Sequence, residues 1–302
     1  MPRFTASHLL TLGAAALSII CFGALAIHLL NPVRKPTHVT NEARAIYRSF
    51  GLTPPENKSP DFFNSPAIAD LCEFIELFDI ESVETIVQGD IDINHAGKHG
   101  LTPLTWAQLH RAFRLYPILM EHGADPNLCV TEDVMLYRTK LYAGDSFLLA
   151  ASKTRDFVAL WQALRYAKDP NQTDAYGQGV FHYYIVLTAT EVPGKPHKML
   201  YNAVDRFIKY GVDINGRHRD GRTPLHIAIE FHYDFAIPLL ERGADPLIPN
   251  HAGVTALDAF LSKASKRPES ASAVAIFAVL KERGYIEQDS SLIDAIKKRS
   301  PK

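Results

Sequence analysis

The chain has 302 residues, with 32 Lys and Arg against 33 Asp and Glu, and a formal net charge of −1 at pH 7. This balance, without any run of basic residues, lacks the electrostatic footprint of a nucleic-acid-binding protein, so no nucleic acid is expected as a partner. The three cysteines follow neither a metal-ligand spacing nor a disulfide framework.

The first thirty residues are dominated by an apolar segment. Leu9 to Leu30 comprises 22 residues and contains no Asp, Glu, Lys or Arg, which is long enough for a helix to cross the core of a bilayer. Residues 1–30 are therefore predicted to be a signal anchor. The small-x-small sequence Ala24-Leu25-Ala26 keeps a cleaved signal peptide open as the alternative.

The charges that flank this segment are evidence for the orientation of the rest of the chain across the membrane. Arg3 precedes the segment, and four basic residues follow it: Arg34, Lys35, Arg44 and Arg48. The positive-inside bias would keep the following residues in the cytoplasm, whereas a signal anchor or a cleaved signal would place them outside it. The short basic start resembles a bacterial export signal and favours an inner-membrane or periplasmic location, with the rest of the chain facing the periplasm. Residues 31–66 are rich in proline and are predicted to be an extended tether.

A pattern of paired helices begins near Ala67 and recurs along the chain. The clearest copy opens with Thr223-Pro224-Leu225-His226-Ile227-Ala228 and closes with Gly243-Ala244-Asp245. Thr223 is suited to cap a helix, Pro224 to its first position, and Gly243 to the left-handed turn that ends a second helix. Each copy is therefore predicted to be two short antiparallel helices.

Five positions mark the starts of successive copies: Thr102, Ser146, Gly179, Thr223 and Thr255. The intervals between them are 44, 33, 44 and 32 residues. This pattern resembles the ankyrin repeat family, whose period is about 33 residues and whose signatures are Thr-Pro-Leu-His-x-Ala and Gly-Ala-Asp. The resemblance implies an all-α solenoid of about six helix-pair units over residues 67–285, with degenerate terminal units and a capping helix within residues 286–302.

Two intervals each exceed the period by eleven residues, which predicts two insertions. The first lies in a connecting hairpin, within Leu128 to Ala143. The second lies between the two helices of the fourth unit, around Leu187 to Lys198, where Pro193-Gly194 and Pro196 disfavour helix. The capping helix is predicted at Leu292 to Lys298, where the sequence is amphipathic.

Insertions in repeat proteins map to surface loops that often bind partners. The first insertion carries the candidate partner-binding residues Tyr137, Arg138, Lys140 and Tyr142, and the neighbouring hairpin tips add His95, Lys98, His99, Tyr176, Arg217, His218 and Arg219. Two other interpretations stay open. The insertion could pack back on its own stack, with Tyr137 and Tyr142 covering a gap, and the basic cluster near Arg217 could be a solvated turn.

Catalysis and metal binding find little support. Gly144-Asp145-Ser146 is similar to the nucleophile block of one class of lipases and esterases, but Ser146 occupies the helix-cap position of the repeat. His95 and His99 are four apart in a turn containing Gly97, and no further ligands complete a metal site. No enzyme activity, cofactor or metal is expected. Buried structural roles are predicted for His182 and His226, and core positions between units for Trp106, Phe157, Trp161, Phe207, Phe231 and Phe235.

The resemblance also implies a function. Bacterial proteins in which an export or anchor segment precedes ankyrin repeats include immunity partners of secreted antibacterial lipase effectors. The interpretation is therefore a non-enzymatic immunity protein, monomeric alone, that binds one protein partner, a secreted phospholipase effector. The alternative is a general envelope scaffold or stress-protective protein of the same fold.

Overall fold

The structure is a computed structural model that describes residues 62–136, 139–189, 197–268, 270–288, 291–292 and 294. The predicted anchor, most of the tether, Tyr137, Arg138, the centre of the second insertion and most of the predicted helix at Leu292 to Lys298 lie outside these ranges. Within them, no helix combines the length and the hydropathy that crossing a bilayer requires.

Twelve helices, in six consecutive pairs, lie in the described part of the chain, which confirms the predicted number of units. They are α1 (Pro66–Glu76), α2 (Ile80–Val87), α3 (Pro103–Leu109), α4 (Tyr116–Glu121), α5 (Phe147–Lys153), α6 (Phe157–Tyr166), α7 (Val180–Ala189), α8 (His197–Lys209), α9 (Pro224–Phe231), α10 (Tyr233–Glu241), α11 (Ala256–Ala264) and α12 (Ala271–Glu282). Odd-numbered helices open each unit, and even-numbered helices close it.

Side-chain caps fix where the first helices begin. The Ser146 hydroxyl oxygen accepts a hydrogen bond from the Leu149 backbone N–H at 3.2 Å, and Thr255 accepts one from the Asp258 N–H at 3.1 Å. At the start of α9 the Thr223 N–H donates to His226 Nδ1 at 3.1 Å. These bonds satisfy donors that a helix start would otherwise leave without partners, as the repeat pattern predicts.

The units stack because each first helix packs against the next, from α1 through α3, α5, α7 and α9 to α11. Aromatic side chains fill the interfaces: the rings of Phe181 and Phe207 stack with their centroids 4.4 Å apart, and Trp161 lies 4.7 Å from Phe207. Phe231 was predicted to join this core, and that prediction is wrong. It is 51% exposed because it is the last residue of α9 and extends past the packed faces.

A ladder of asparagine side chains ties each unit to the next. Asn127 donates from Nδ2 to the Asp169 carbonyl at 2.7 Å and accepts from the Asp169 N–H at 3.0 Å. Asn94 and Asn171 likewise donate to and accept from the closing turn of the following unit, and Asn215 accepts the Asp245 N–H at 2.9 Å. Leu247 occupies the corresponding position in the fifth unit and has no side-chain amide to continue the ladder.

The first insertion departs from the predicted all-α class. It forms an antiparallel hairpin of β1 (Val134–Leu136) and β2 (Thr139–Leu141), with Val134 opposite Leu141 and Met135 opposite Lys140. The expectation of a purely helical chain is therefore wrong in this segment, where residues alternate between two faces as in a strand. At the second insertion α7 extends to Ala189 and α8 begins at His197, so the two helices incorporate both ends of the predicted insert.

Candidate functional site

The connecting hairpins between units end in tips that lie side by side along one edge, here called the tip edge. Each tip turns at a glycine with positive φ, for example 72° at Gly177 and 82° at Gly221. Backbone hydrogen bonds join neighbouring tips: Thr131 N–H to His99 O at 2.8 Å, Arg219 N–H to Tyr176 O at 3.2 Å, and His251 N–H to Asp220 O at 2.8 Å. These bonds fix the first tip to the inserted hairpin and the last three tips to one another.

The first tip carries His95, Lys98 and His99. Lys98 is exposed and His95 half-buried. His99 adopts a left-handed backbone conformation with φ 59°, and its Nδ1 lies 2.7 Å from Glu132 Oε2. Because Glu132 belongs to the first insertion, His99 links this tip to the base of the inserted hairpin.

Tyr176 and the predicted basic cluster near Arg217 contain both solvent-exposed and packed side chains. Tyr176 is 65% exposed, and Arg217 and Arg219 are exposed, although Arg217 Nη2 donates to the Pro249 carbonyl at 2.7 Å. His218 packs under the tip, with Nδ1 2.8 Å from Asp220 Oδ1. Among these residues Tyr176, Arg217 and Arg219 are accessible to a partner, while His218 has a structural role.

The inserted hairpin presents one face to solvent. Met135 is 71% exposed and Tyr142 is 51% exposed. Lys140 Nζ lies 3.0 Å from Asp133 Oδ2 and 4.2 Å from the centroid of the Tyr142 ring. The hydrogen bond from the Ala143 N–H, then that from Lys140, lowers the pKa of Asp133, and the same contact with Asp133 raises the pKa of Lys140. Lys140 and Tyr142 are thus oriented together on the outer face.

The opposite face of the hairpin packs on the stack. Val134 is 5% exposed and Leu141 is 1% exposed, and β2 contacts α3 of the second unit. The inner side chains Val134 and Leu141 therefore cover the helices, whereas Tyr142, which the packing interpretation placed over a gap, faces solvent.

Sequence reasoning missed a buried ion cluster at the base of this hairpin. Lys153 Nζ lies 2.6 Å from Asp145 Oδ1 and 3.3 Å from Asp174 Oδ2, and the Tyr183 hydroxyl donates to Asp174 Oδ2 at 2.5 Å. Asp145 also accepts the Tyr142 N–H at 3.0 Å. Burial raises the pKa of Asp174, but hydrogen bonds from Tyr183 and two backbone N–H groups, together with Lys153, leave that pKa below its usual value.

A spacing in the sequence could have revealed this cluster. Asp145 directly follows a tip glycine, and Lys153 comes eight residues later at the end of α5. In the fifth unit Arg222 and Glu230 occupy the same two positions with their charges exchanged, and Arg222 Nη1 lies 2.6 Å from Glu230 Oε2. Opposite charges at these two positions of a unit therefore predict a pair.

The residues considered for catalysis have structural partners. Ser146 is completely buried and donates its hydroxyl hydrogen to Gln172 Oε1 at 2.6 Å. His226 bonds Val254 O through Nε2 at 3.1 Å, and burial lowers its pKa. Burial also lowers the pKa of His182 to about 4. Across the described ranges no three His, Cys, Asp or Glu side chains are grouped to hold a metal ion.

Comparison with known proteins locates the repeat directly. Residues 220–251 match the family model of the ankyrin repeat. An 89-residue segment is 35% identical to "Protein glp-1" of Caenorhabditis elegans, over 29% of this chain and 7% of that protein. The chain thus spans only a small part of the length of this relative.

Solved structures show the same fold. An ankyrin repeat domain from Acinetobacter baumannii AYE superposes with a TM-score of 0.51 and 22% identity, covering 71% of this chain and 97% of that one. A chain from the complex of a predatory endopeptidase of Bdellovibrio bacteriovorus with its immunity protein gives a TM-score of 0.47 and 21% identity, over 72% of this chain and 99% of that one. The first likeness establishes the stacked fold, and the second is too distant to bear on function.

Proposed function

We propose that this chain, an ankyrin-repeat protein, is a protein-interaction module that binds one protein partner through the tip edge and the outer face of the inserted hairpin. The observation that carries the proposal is the two-sided hairpin. Its inner residues Val134 and Leu141 are buried, while Met135 and Tyr142 remain 71% and 51% exposed. A segment so anchored has little conformational freedom to lose on binding, which favours affinity.

The residue types on this surface suit a protein partner with acidic groups. Tyrosine, methionine and arginine are enriched in protein interfaces, and Tyr142, Met135, Arg217 and Arg219 supply them here. Lys98 and Lys140 add exposed positive charge. The Lys140 ammonium lies over the Tyr142 ring, so the two side chains form one preorganised contact for a carboxylate and an apolar group.

The finer proposal is that the chain acts at the bacterial envelope as an immunity protein that neutralises a secreted phospholipase effector. Its support is the order of segments in the sequence, an uncharged stretch from Leu9 to Leu30 followed by the repeats. A general envelope scaffold has the same order of segments and is the competing function.

A binding measurement with matched variants tests the interface. The full-length chain is titrated with a purified secreted phospholipase effector of the same organism, and the Met135→Ser/Tyr142→Ala variant is compared with Val274→Ser, which changes a 53% exposed residue on α12. We expect the hairpin variant to weaken affinity about tenfold or more, since hot-spot residues contribute above 1 kcal/mol each, and Val274→Ser to have no effect. Equal affinity for all three proteins would exclude this surface.

A second experiment separates immunity from scaffolding. Cells that produce the effector in the periplasm are grown with the wild-type chain or with the hairpin variant. An immunity protein restores growth, and the hairpin variant, when equally abundant, does not. Binding without protection of growth would favour the scaffold.

A further inference from the structure

Three successive turns between paired helices hold a residue other than glycine in the left-handed backbone region. Phe78, Arg111 and Arg155 have φ values of 55°, 57° and 59°. This conformation is unfavourable for a residue with a Cβ atom and is freely accessible to glycine. Strained backbone conformations cluster at functional sites, so we consider a functional role for these three side chains.

These turns lie along one edge of the stack. Helices α1, α3 and α5 pack side by side, each starting at the hairpin side, so their C-terminal ends and the following turns lie opposite the tip edge. Neighbouring turns are close enough to interact. Burial and then the Asp156 carboxylate raise the pKa of Tyr116, while Arg111 lowers it, so one phenol responds to charges from two turns.

The surface here called the turn edge combines apolar and cationic side chains. Phe78, Phe113 and Val158 are 56%, 47% and 64% exposed. Three exposed arginines lie among them: Arg111, Arg114 and Arg155. The Arg111 guanidinium lies 5.8 Å from the centroid of the Phe113 ring.

Two of the acidic side chains near these turns cap helix starts, and Glu76, which precedes the first turn, is half-buried. Asp79 Oδ1 accepts the Ser82 N–H at 3.2 Å, and Asp156 Oδ1 accepts the Ala159 N–H at 3.0 Å. Glu81, in the first turn of α2, is exposed and lies in the first unit. In the second unit the exposed side chains of Arg111 and Arg114 therefore give the turn edge positive charge.

We propose that the turn edge binds the surface of an anionic lipid bilayer. Phenylalanine and valine side chains enter the boundary between headgroups and acyl chains, and arginines interact with lipid phosphates. Charge complementarity and exposed aromatic rings on one edge favour this occupant over an acidic protein. The contact would direct the tip edge away from the bilayer, where a partner can reach it. This proposal is independent of the tip edge and its partner.

Arginine footprinting on the full-length chain tests the proposal. The protein is incubated with vesicles of phosphatidylcholine alone or with added phosphatidylglycerol, treated with an arginine-specific dicarbonyl, and analysed by mass spectrometry. We expect modification of Arg111, Arg114 and Arg155 to slow about fivefold with the anionic vesicles, which corresponds to about 1 kcal/mol for each arginine near such a surface. Arg217 and Arg219 on the tip edge are internal controls and keep their rates.

A variant provides the second arm. Arg111→Gly/Phe113→Ser removes one cation and one aromatic ring, and it also relieves the backbone strain at position 111. The melting temperature of the variant is therefore measured alongside the footprint. We expect protection of Arg114 and Arg155 to be lost. Unchanged rates at the turn edge of the wild-type chain would overturn the proposal, as would equal protection of both edges. Protection by soluble polyglutamate but not by anionic vesicles would assign the edge to an acidic protein instead.

Discussion

Lys153 and Asp145 form an ion pair of 2.6 Å at the point where the inserted hairpin rejoins the stack. The same ammonium lies 3.3 Å from Asp174 of the following unit. The side chains of Asp145 and Asp174 are only 3% and 5% exposed. One cation therefore neutralises two buried carboxylates and connects the hairpin, the third unit and the fourth.

We expect Lys153→Met to be strongly destabilising. It leaves Asp145 and Asp174 buried and close together without their cation, and removing one partner of a buried pair costs about 3 to 5 kcal/mol. The matched control is Lys168→Met, because Lys168 pairs with Asp125 at 2.9 Å but is 81% exposed, so its loss costs at most about 1 kcal/mol. Urea unfolding measures both, and equal losses would show that the buried cluster contributes little.

Two tip glycines allow conformational strain to be separated from close packing. Gly144 and Gly177 both have positive φ, at 85° and 72°. A Cβ atom at Gly177 would lie 2.5 Å from the Arg219 nitrogen, whereas one at Gly144 would have no atom within 4 Å. We expect Gly144→Ala to cost about 1 kcal/mol through backbone strain alone, and Gly177→Ala to cost clearly more because the next tip must also move. Comparable unfolding free energies would contradict this.

Stability is expected to fall with acidification because of His182. Burial lowers the pKa of this histidine from 6.5 to about 4. Between these values the unfolded chain binds a proton that the folded chain does not, so this contribution is complete above pH 6.5 and is lost as pH falls towards 4. The loss amounts to roughly 3 kcal/mol.

The measurement is the free energy of unfolding as a function of pH for the wild type and for His182→Gln. Protonation of carboxylates such as Asp174, whose pKa is lowered, reduces the stability of both proteins mainly at still lower pH. The variant is expected to show a shallower slope between pH 6.5 and 4. Identical slopes would mean that His182 takes up its proton in the folded state.

The asparagine ladder can be tested at its second member. Asn127→Ala removes bonds of 2.7 Å and 3.0 Å to the Asp169 backbone and leaves two polar groups of the next unit without these partners. We expect a loss of about 1 to 3 kcal/mol. Asn202→Ala, at an exposed position of α8, is the control and is expected to change stability by less than about 0.5 kcal/mol.

Helix starts could be predicted from the sequence because the bonds that determine them are local. The Ser146 and Thr255 hydroxyl oxygens each accept from a backbone N–H three residues later, so a four-residue motif contains the whole interaction. Phe231 shows where a prediction from helical periodicity fails. Its spacing matches a buried face, but α9 ends at that residue, and burial depends on where the neighbouring helices end.

The sequence predicted where the inserted segment lies, but neither its strands nor its exposed face. The extra residues between repeats indicated an insertion, but β1 and β2 have three residues each, too few to give a clear alternation. Their placement depends on the contact between β2 and α3, across more than thirty positions of sequence. Asp145 and Asp174 meet at Lys153 only after two units have stacked, so the cluster has no local signature beyond its charged spacing.

Because Leu247 stands where earlier units have the ladder asparagine, the array is expected to unfold unevenly. In a linear stack each unit is stabilised only by its neighbours, so cooperativity is carried by the individual junctions. The junction that joins the sixth unit lacks the asparagine side-chain bonds that link the earlier units. We therefore expect the C-terminal unit to open as a separate foldon and its amide hydrogens to exchange before those of units two to five. A ligand held by the tip edge would then slow exchange in the central units and leave the C-terminal unit unchanged.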